Sequence, residues 1–316
     1  MKIKNCKLIM SIEQMQDHQA WLNLRNKGIG GSDAGVIAGV NPWKSAWKLW
    51  MEKTGQAEPD DLSDNEAVLW GTKLEPIVAE RFTEVTGKKA HRQGMVQSTE
   101  YPWLFANVDR LIVGEDAGLE IKTANARAEA AWTDDKVPDS YYLQCQHYMM
   151  VTGISKWYIA CLIGGQHYVQ KEIPRNEEDI KLLFQMEKDF WEKNVIGGEM
   201  PPVDGSSDCQ KALVEKFHGG QTEPVEFPTA ADALKEYDTA KENYNTAKFF
   251  FEEAKNKLCT ILGDNEVGTC SGWVFTWKPQ PGRVTINSKK LQKDFPDAYE
   301  ACKKVGNPIR VLRVKD

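Results

Sequence analysis

Apolar positions along the first two thirds of the chain recur in alternating helical and strand periods. Residues 11–27 read as a helix, with Ile12, Met15, Trp21, Leu22 and Leu24 at near-helical spacing and Ser11 as its N-cap. The run Gly28-Ile29-Gly30-Gly31-Ser32-Asp33 interrupts it, and a second helix starts near Ser32 or Asp33 and reaches about Ala38. Asn41-Pro42 opens a turn, and Ser45 caps a helix carrying Trp47, Leu49, Trp50 and Met51. After a polar loop at 60–66, Ala67 to Thr86 forms a long helix that stops at Gly87, with Leu69, Leu74, Ile77, Val78, Phe82 and Val85 on its apolar side.

Strand-like runs follow at 91–97, 103–110 and 117–123, then a helix from 139 to 152. An apolar strand from Trp157 to Ile163 turns at Gly164-Gly165 and returns from His167 to Ile173. A helix from Glu177 to about Asn194 closes the unit. The order predicts an α/β (α+β) core, a mixed sheet flanked by helices.

The period changes after a linker at 217–229. Ala230, Ala233, Tyr237, Ala240, Tyr244, Ala247, Phe251, Ala254, Leu258 and Ile261 alternate steps of three and four, a coiled-coil heptad seam. Two short strands at 272–278 and 282–286 and a final helix with a basic tail complete the reading. The predicted domains are 1–216, the α/β unit, and 217–316, a heptad helix with a small α/β extension.

Charge sharpens this outline. The net charge is −6, yet residues 1–53 carry eight Lys/Arg against four Asp/Glu, and residues 278–316 carry ten against four. Basic ends around an acidic middle suit an enzyme that binds metal and phosphate, although the same count also fits a solvated surface. Seven scattered cysteines without Cys-x-x-Cys spacing are expected to be reduced thiols. No apolar run is long enough to span a bilayer, and Met1–Met10 does not read as a signal peptide, so a cytoplasmic protein without a membrane partner is expected.

The candidate chemistry lies in Phe105-Ala106-Asn107-Val108-Asp109-Arg110 and Gly118-Leu119-Glu120-Ile121-Lys122-Thr123. Strand alternation points Glu120 and Lys122 to one face and Leu119 and Ile121 to the other, and a hairpin would bring Asp109 beside them. Two carboxylates and an ammonium on one patch suit Mg²⁺ and a water to be activated, with a metal-neighboured lysine of depressed pKa. A Glu-x-Lys pair alone fits an exposed salt bridge equally well. Glu75, followed by Pro76 inside an amphipathic helix, is a further acid, readable also as a solvated charge.

The glycine run lacks the Lys-Ser/Thr of a P-loop, so ATP binding is not expected. Free backbone N–H groups at the next helix start, the Ser32 hydroxyl and the Arg25 guanidinium instead suit a terminal phosphate, against the plainer reading of glycines for tight packing. Trp43, Trp47 and Trp50 read as core before base-stacking. His147 reads as packing within its helix, and Tyr141 and Tyr142 as core residues that border the site.

Arg25 followed by Gly28-Ile29-Gly30-Gly31-Ser32-Asp33-Ala34, then Gly71 with Glu75, Asp109, Glu120-Ile121-Lys122 and Tyr141-Tyr142-Leu143-Gln144-Cys145-Gln146, resembles the YqaJ-type viral recombinases. These are related to lambda exonuclease within the PD-(D/E)xK nuclease superfamily, and the resemblance covers about residues 15–200. It implies that Asp109, Glu120, Glu75 and the Ile121 carbonyl hold the metal, that Lys122 is catalytic and that Gln144 is an active-site glutamine. Arg25 and Ser32, with Trp21, would face the 5′-phosphate of a DNA end. The proline of the superfamily name is missing before Asp109, where Asn107-Val108 stands.

The resemblance further implies an Mg²⁺-dependent (or Mn²⁺-dependent) 5′-to-3′ exonuclease without an iron–sulfur cluster, acting on double-stranded DNA ends in a bacterial host cell. It would leave 3′ single-stranded tails for a phage single-strand annealing protein and assemble as a ring trimer. An internally cutting or branch-resolving enzyme of the same fold remains open, as does a DNA-binding scaffold with an inactive site. The retained Asp109, Glu120 and Lys122 argue against the scaffold.

Overall fold

The computed structural model describes residues 3, 5–60, 62, 64–306 and 310–314. The ends of the N-terminal segment and of the basic tail, and residues 61 and 63 of the 60–66 loop, thus lie partly outside the described residues. The chain divides after His218 into two units.

The first unit begins with β1 (Cys6–Met10), α1 (His18–Arg25), α2 (Gly31–Ile37), α3 (Ala46–Lys53) and α4 (Glu66–Thr86). β2 (Ala90–Arg92), β3 (Met95–Ser98), β4 (Phe105–Ala106), β5 (Arg110–Ile112) and β6 (Ala117–Ala124) follow. A 3₁₀ stretch (Ala126–Trp132) leads to α5 (Asp139–Thr152), β7 (Lys156–Ile163), β8 (His167–Pro174), α6 (Glu177–Asp189) and α7 (Ser207–Lys216). β2-β5-β6-β7-β8 form a mixed sheet in which only β6 and β7 run parallel, joined by the α5 crossover. β1-β3-β4 form a second, antiparallel sheet.

Local chemistry accounts for the helix ends. Ser45 and Asn65 cap α3 and α4 with side-chain oxygens, and Gly87 and Gly153 end α4 and α5 in the left-handed conformation. Gly164 and Gly165, both at positive φ, turn β7 into β8.

Several expectations are corrected. Ser11 does not cap a helix over 11–27. A 3₁₀ turn at Gln14–Gln16 comes first, and Asp17 caps the shorter α1 by accepting from Ala20 N–H. The run 91–97 is two strands in different sheets, and 103–110 breaks into β4 and β5, because Gly94 and residues 107–109 carry the chain from one sheet to the other. β1 and α7 were not predicted; α7 packs on α3, where Ser45 bonds Asp208 at 2.7 Å through its N–H and 2.8 Å through its hydroxyl. On α4 only Val78, Ala79 and Phe82 are buried, against Leu119, Ile121, Tyr158 and Ala160, while Leu69, Ile77 and Val85 are exposed. A single helix touches the sheet along a narrow line.

The glycine run is also more than a helix–helix corner. Ile29 bridges Leu104 as an added strand residue, and a Cβ on Gly28 would come 2.5 Å from the Trp103 carbonyl oxygen. A Cβ on Gly31 would come 2.4 Å from the Tyr148 ring, so only glycine lets α2 approach α5 this closely. Trp47 and Trp50 are core residues, whereas Trp43 is exposed.

The second unit holds α8 (Ala231–Leu262), the hairpin β9 (Val267–Cys270) and β10 (Trp273–Thr276), α9 (Ser288–Asp294) and α10 (Pro296–Cys302). The expected strand at 272–278 is β10, but its partner is the preceding β9, turning at Ser271-Gly272, and 282–286 is irregular. The expected final helix is two short ones, separated at Phe295. Among the described residues no helix is long and apolar enough to cross a membrane.

Candidate active site

β6 displays its alternation as a division of labour. Leu119 and Ile121 pack under α4, and Glu120 and Lys122 face α5. Gly118 keeps the α5 face open at its base, since a Cβ there would come 2.2 Å from the Trp157 ring.

Glu120 is 2% exposed. Its Oε1 accepts from Lys122 Nζ at 2.5 Å and from Gln144 Nε2 at 2.8 Å. Gln144 Oε1 accepts from Lys122 at 3.1 Å, so the glutamine ties acid and lysine together. Glu120 Oε2 is buried without a hydrogen-bond partner.

Asp109 is not on a hairpin strand but in the break just before β5. Its Oδ2 accepts from Ile121 N–H at 2.8 Å. A strand residue presents its N–H and C=O to the same edge, so the Ile121 carbonyl shares the edge that Asp109 occupies. Burial and then the Glu120 charge push the Asp109 carboxyl up to about 7.

Among the described residues, Lys122 sits between two acids with no cation beside it. Burial pushes its ammonium down, but Glu120 and Asp109 outweigh that and hold it above the usual lysine range. A depressed value would need a cation beside it. The ammonium also lies 4.7 Å from the Tyr141 ring centroid. Tyr142 turns away and donates to Asp179 at 2.6 Å.

Glu75 is engaged by Arg110, which donates to its Oε1 at 2.7 Å. Burial, then the Asp109 charge, raises its pKa. Among the described residues no three His, Cys, Asp or Glu side chains form a metal cluster. Asp109, the orphaned Glu120 oxygen and the Ile121 carbonyl nonetheless suit a hard, partly hydrated ion such as Mg²⁺, which takes few protein oxygens and keeps its waters.

Arg25 and Ser32 share this site. Arg25 Nη2 donates to Ser32 Oγ at 2.5 Å and to Asp33 Oδ1 at 3.0 Å, and its guanidinium lies 5.4 Å from the Trp21 ring centroid. Behind it, Asp33 Oδ2 pairs with Lys53 at 2.9 Å and accepts from Gly30 N–H at 3.1 Å. Lys53 also donates to the Arg25 carbonyl. Burial pushes the Asp33 carboxyl up, but the Lys53 and Arg25 charges outweigh it and hold the group well below the carboxylate range. One cavity of about 170 Å³ joins both sets: Trp21, Arg25 and Ser32 line it together with Asp109, Glu120 and Gln144.

Sequence reasoning missed three supports. Tyr148 accepts from Gln144 at 2.7 Å and donates to the Asn107 carbonyl at 2.9 Å; its i,i+4 spacing from Gln144 was the available signal. Asp33 and Lys53 had no such signal, being 20 positions apart. His147 does not pack within its helix: it bonds Glu187 and the Phe105 carbonyl, each at 2.8 Å, both side chains fully buried. This fixes the strand that leads to Asp109.

A mixed sheet with an acid at a strand break and a Glu-x-Lys pair on the next strand defines the class, a PD-(D/E)xK nuclease fold. Residues 20–155 match the YqaJ-like viral recombinase domain. The YqaJ protein of Bacillus subtilis (strain 168), itself uncharacterized, is 40% identical over 289 residues, 90% of each chain. The chain belongs to the YqaJ family. Among solved structures it is similar to an alkaline exonuclease (LHK-Exo) of Laribacter hongkongensis, at 20% identity and a TM-score of 0.48 over 55% of this chain and 91% of that one. A second, a putative exonuclease from Eubacterium rectale, has 13% identity and a TM-score of 0.46 over 70% and 97%.

Proposed function

We propose that the protein is an Mg²⁺-dependent exonuclease that digests the 5′-ended strand of linear double-stranded DNA. The observation that carries this reading is the shared cavity, lined both by Arg25 and Ser32 and by Asp109 and Glu120. A strand end seated there meets a guanidinium and a hydroxyl suited to a terminal phosphate, and its first phosphodiester falls toward the carboxylates. Mg²⁺ (or Mn²⁺) held by Asp109, Glu120 and the Ile121 carbonyl would supply charge neutralisation and an acidified water. Glu75 is the reserve acid, available once Arg110 releases it.

Lys122 then orients the attacking water and donates to the phosphate oxygen that gains charge. Gln144 keeps Lys122 and Glu120 in register, and Tyr148 keeps Gln144 in place. Asp33 and Lys53 hold the Arg25 guanidinium toward the cavity. The 3′ tail left behind would serve a phage single-strand annealing protein in the cytoplasm of a bacterial host, with the nuclease units arranged as a ring trimer around DNA.

The test is digestion of a linear 5′-phosphorylated duplex and of a covalently closed plasmid, each with Mg²⁺ and with EDTA. Degradation of the linear duplex alone, from its 5′ ends and only with Mg²⁺, is expected. Cutting of the closed plasmid would make the enzyme an endonuclease, and no cleavage of either would leave a binding protein.

A further inference from the structure

α8 runs for 32 residues with nearly every side chain exposed, the alanines of its seam included. Helices in water draw most of their stability from packing an amphipathic face rather than from propensity, so this face calls for a partner. Tyr237, Tyr244, Phe251 and Leu258 recur every seven residues and are 37%, 65%, 63% and 45% exposed. Ala233, Ala240, Ala247 and Ala254 occupy the other seam position. Within α8 one position is thus always large and the other always small, until Ile261.

That segregation selects an orientation. In a parallel pair each heptad position meets itself, so rings would crowd rings and alanines would face each other across gaps. In an antiparallel pair the two positions meet one another. With Tyr244 against Ala247 of a second copy, Tyr237 meets Ala254, Phe251 meets Ala240 and Leu258 meets Ala233, and each match occurs twice by two-fold symmetry.

The same register sets Glu236 beside Lys257 of the second copy; Lys257 now bonds Glu253 of its own helix. Lys241 and Lys248 approach across the opposite edge, where solvent-exposed charges cost little. The Lys241 ammonium is already drawn over the Tyr237 ring, 5.9 Å from its centroid. The exposed parts of three rings and a leucine from each helix, with the alanines between them, are the apolar surface that this contact would bury.

We propose that α8 is a self-association surface that pairs antiparallel with α8 of a second copy of this chain, large residues on alanines. The test uses the full-length chain. In sedimentation velocity, Ala247→Tyr sets ring against ring and should halve the mass of the assembly, whether α8 joins two chains or two trimeric rings, with helicity by circular dichroism unchanged. The double variant Tyr244→Ala/Ala247→Tyr restores a large-on-small seam and should recover the wild-type mass. An oxidised equimolar mixture of Tyr244→Cys and Ala247→Cys chains should give a disulfide between positions 244 and 247, identified by peptide mapping, and Ala247→Cys alone should not link to itself. Self-linking of Ala247→Cys would mean a parallel pair. Unchanged mass in Ala247→Tyr, or no recovery in the double variant, would mean that a different chain or nothing covers the seam. Any of these overturns the proposal.

Discussion

Asp33 and Glu120 mark two ends of the site, Asp33 behind the Arg25 that lines the cavity and Glu120 in the cavity wall itself; each carboxylate is only 2% exposed, and they differ in a single oxygen. Both oxygens of Asp33 are answered: Arg25 on one, Lys53 and the Gly30 N–H on the other. Glu120 has Lys122 and Gln144 on Oε1 and nothing on Oε2. A buried charge is tolerated only when paired and hydrogen-bonded. The Asp33 end is therefore a finished scaffold that aims Arg25, and the Glu120 end retains room for one more cation. Burial alone does not separate structure from chemistry; the balance of partners does.

The sharpest way to break this comparison is at the open end. Lys122→Ala should lower cleavage by ~10³-fold or more while Mg²⁺ and DNA binding change little, since a lost transition-state donor costs about that much. Asp109→Ala should lose both cleavage and Mg²⁺ binding. Wild-type turnover by Asp109→Ala at saturating Mg²⁺ would remove Asp109 from the site.

At the closed end the effect should fall on stability. Asp33→Asn leaves Lys53 buried beside Arg25 without its counter-charge, and urea unfolding should show a loss of about 3–5 kcal/mol. Because the folded-state pKa of Asp33 is depressed, its contribution is fully present above the ordinary carboxylate pKa and is lost as pH falls toward the folded value. The gap between wild type and Asp33→Asn should thus be equal at neutral and mildly acidic pH and narrow below about pH 4. A gap that shrinks at mildly acidic pH would mean that Asp33 is not held ionised.

Between the two ends, wild type should prefer a 5′-phosphorylated over a 5′-hydroxyl duplex by about ten-fold, or 1.4 kcal/mol. Arg25→Ala should erase most of that preference and keep slow Mg²⁺-dependent cleavage. Equal wild-type rates on the paired substrates would sink the phosphate pocket and favour internal cutting.

The smallest effect is linkage. Mg²⁺ at about ten times its Kd should raise wild-type stability by ~1.4 kcal/mol. Glu120→Gln should lose this increment, and Asp33→Asn should keep it on a lower baseline. Scanning calorimetry with and without Mg²⁺ separates them, and an increment that survives Glu120→Gln would place the metal elsewhere.

Much of the fold was legible because its signals are local. The caps Ser45 and Asn65 show the difference: Ser45 stands beside the apolar run it caps and is readable, whereas Asn65 is separated from its apolar run by Glu66, so the pattern starts α4 at Ala67, one residue after the helix begins. Ser11 failed against Asp17, since both are good caps and only the preceding 3₁₀ turn decides between them. The split of 103–110 was illegible for a related reason. Asn107 and Asp109 continue an alternating strand pattern, yet the chain changes sheets there, and a period of two carries no record of which strand lies alongside.

The sequence by itself determined that Glu120 and Lys122 share a face, that Leu119 and Ile121 oppose them, and that Gln144 stands on a helix after that strand, because strand and helix periods are properties of neighbouring residues. It also set the large-and-alanine seam of α8. Only the tertiary structure decided that Arg25 and Ser32 open onto the cavity of Glu120, that Lys53 closes the charge of Asp33, that Arg110 takes Glu75, and that Asp109 bonds the Ile121 N–H. Those pairings depend on how α1, α2, α3, α4 and α5 pack with one another and against the sheet. Packing follows the summed burial of many side chains, and no local spacing encodes which distant carboxylate a given cation will meet.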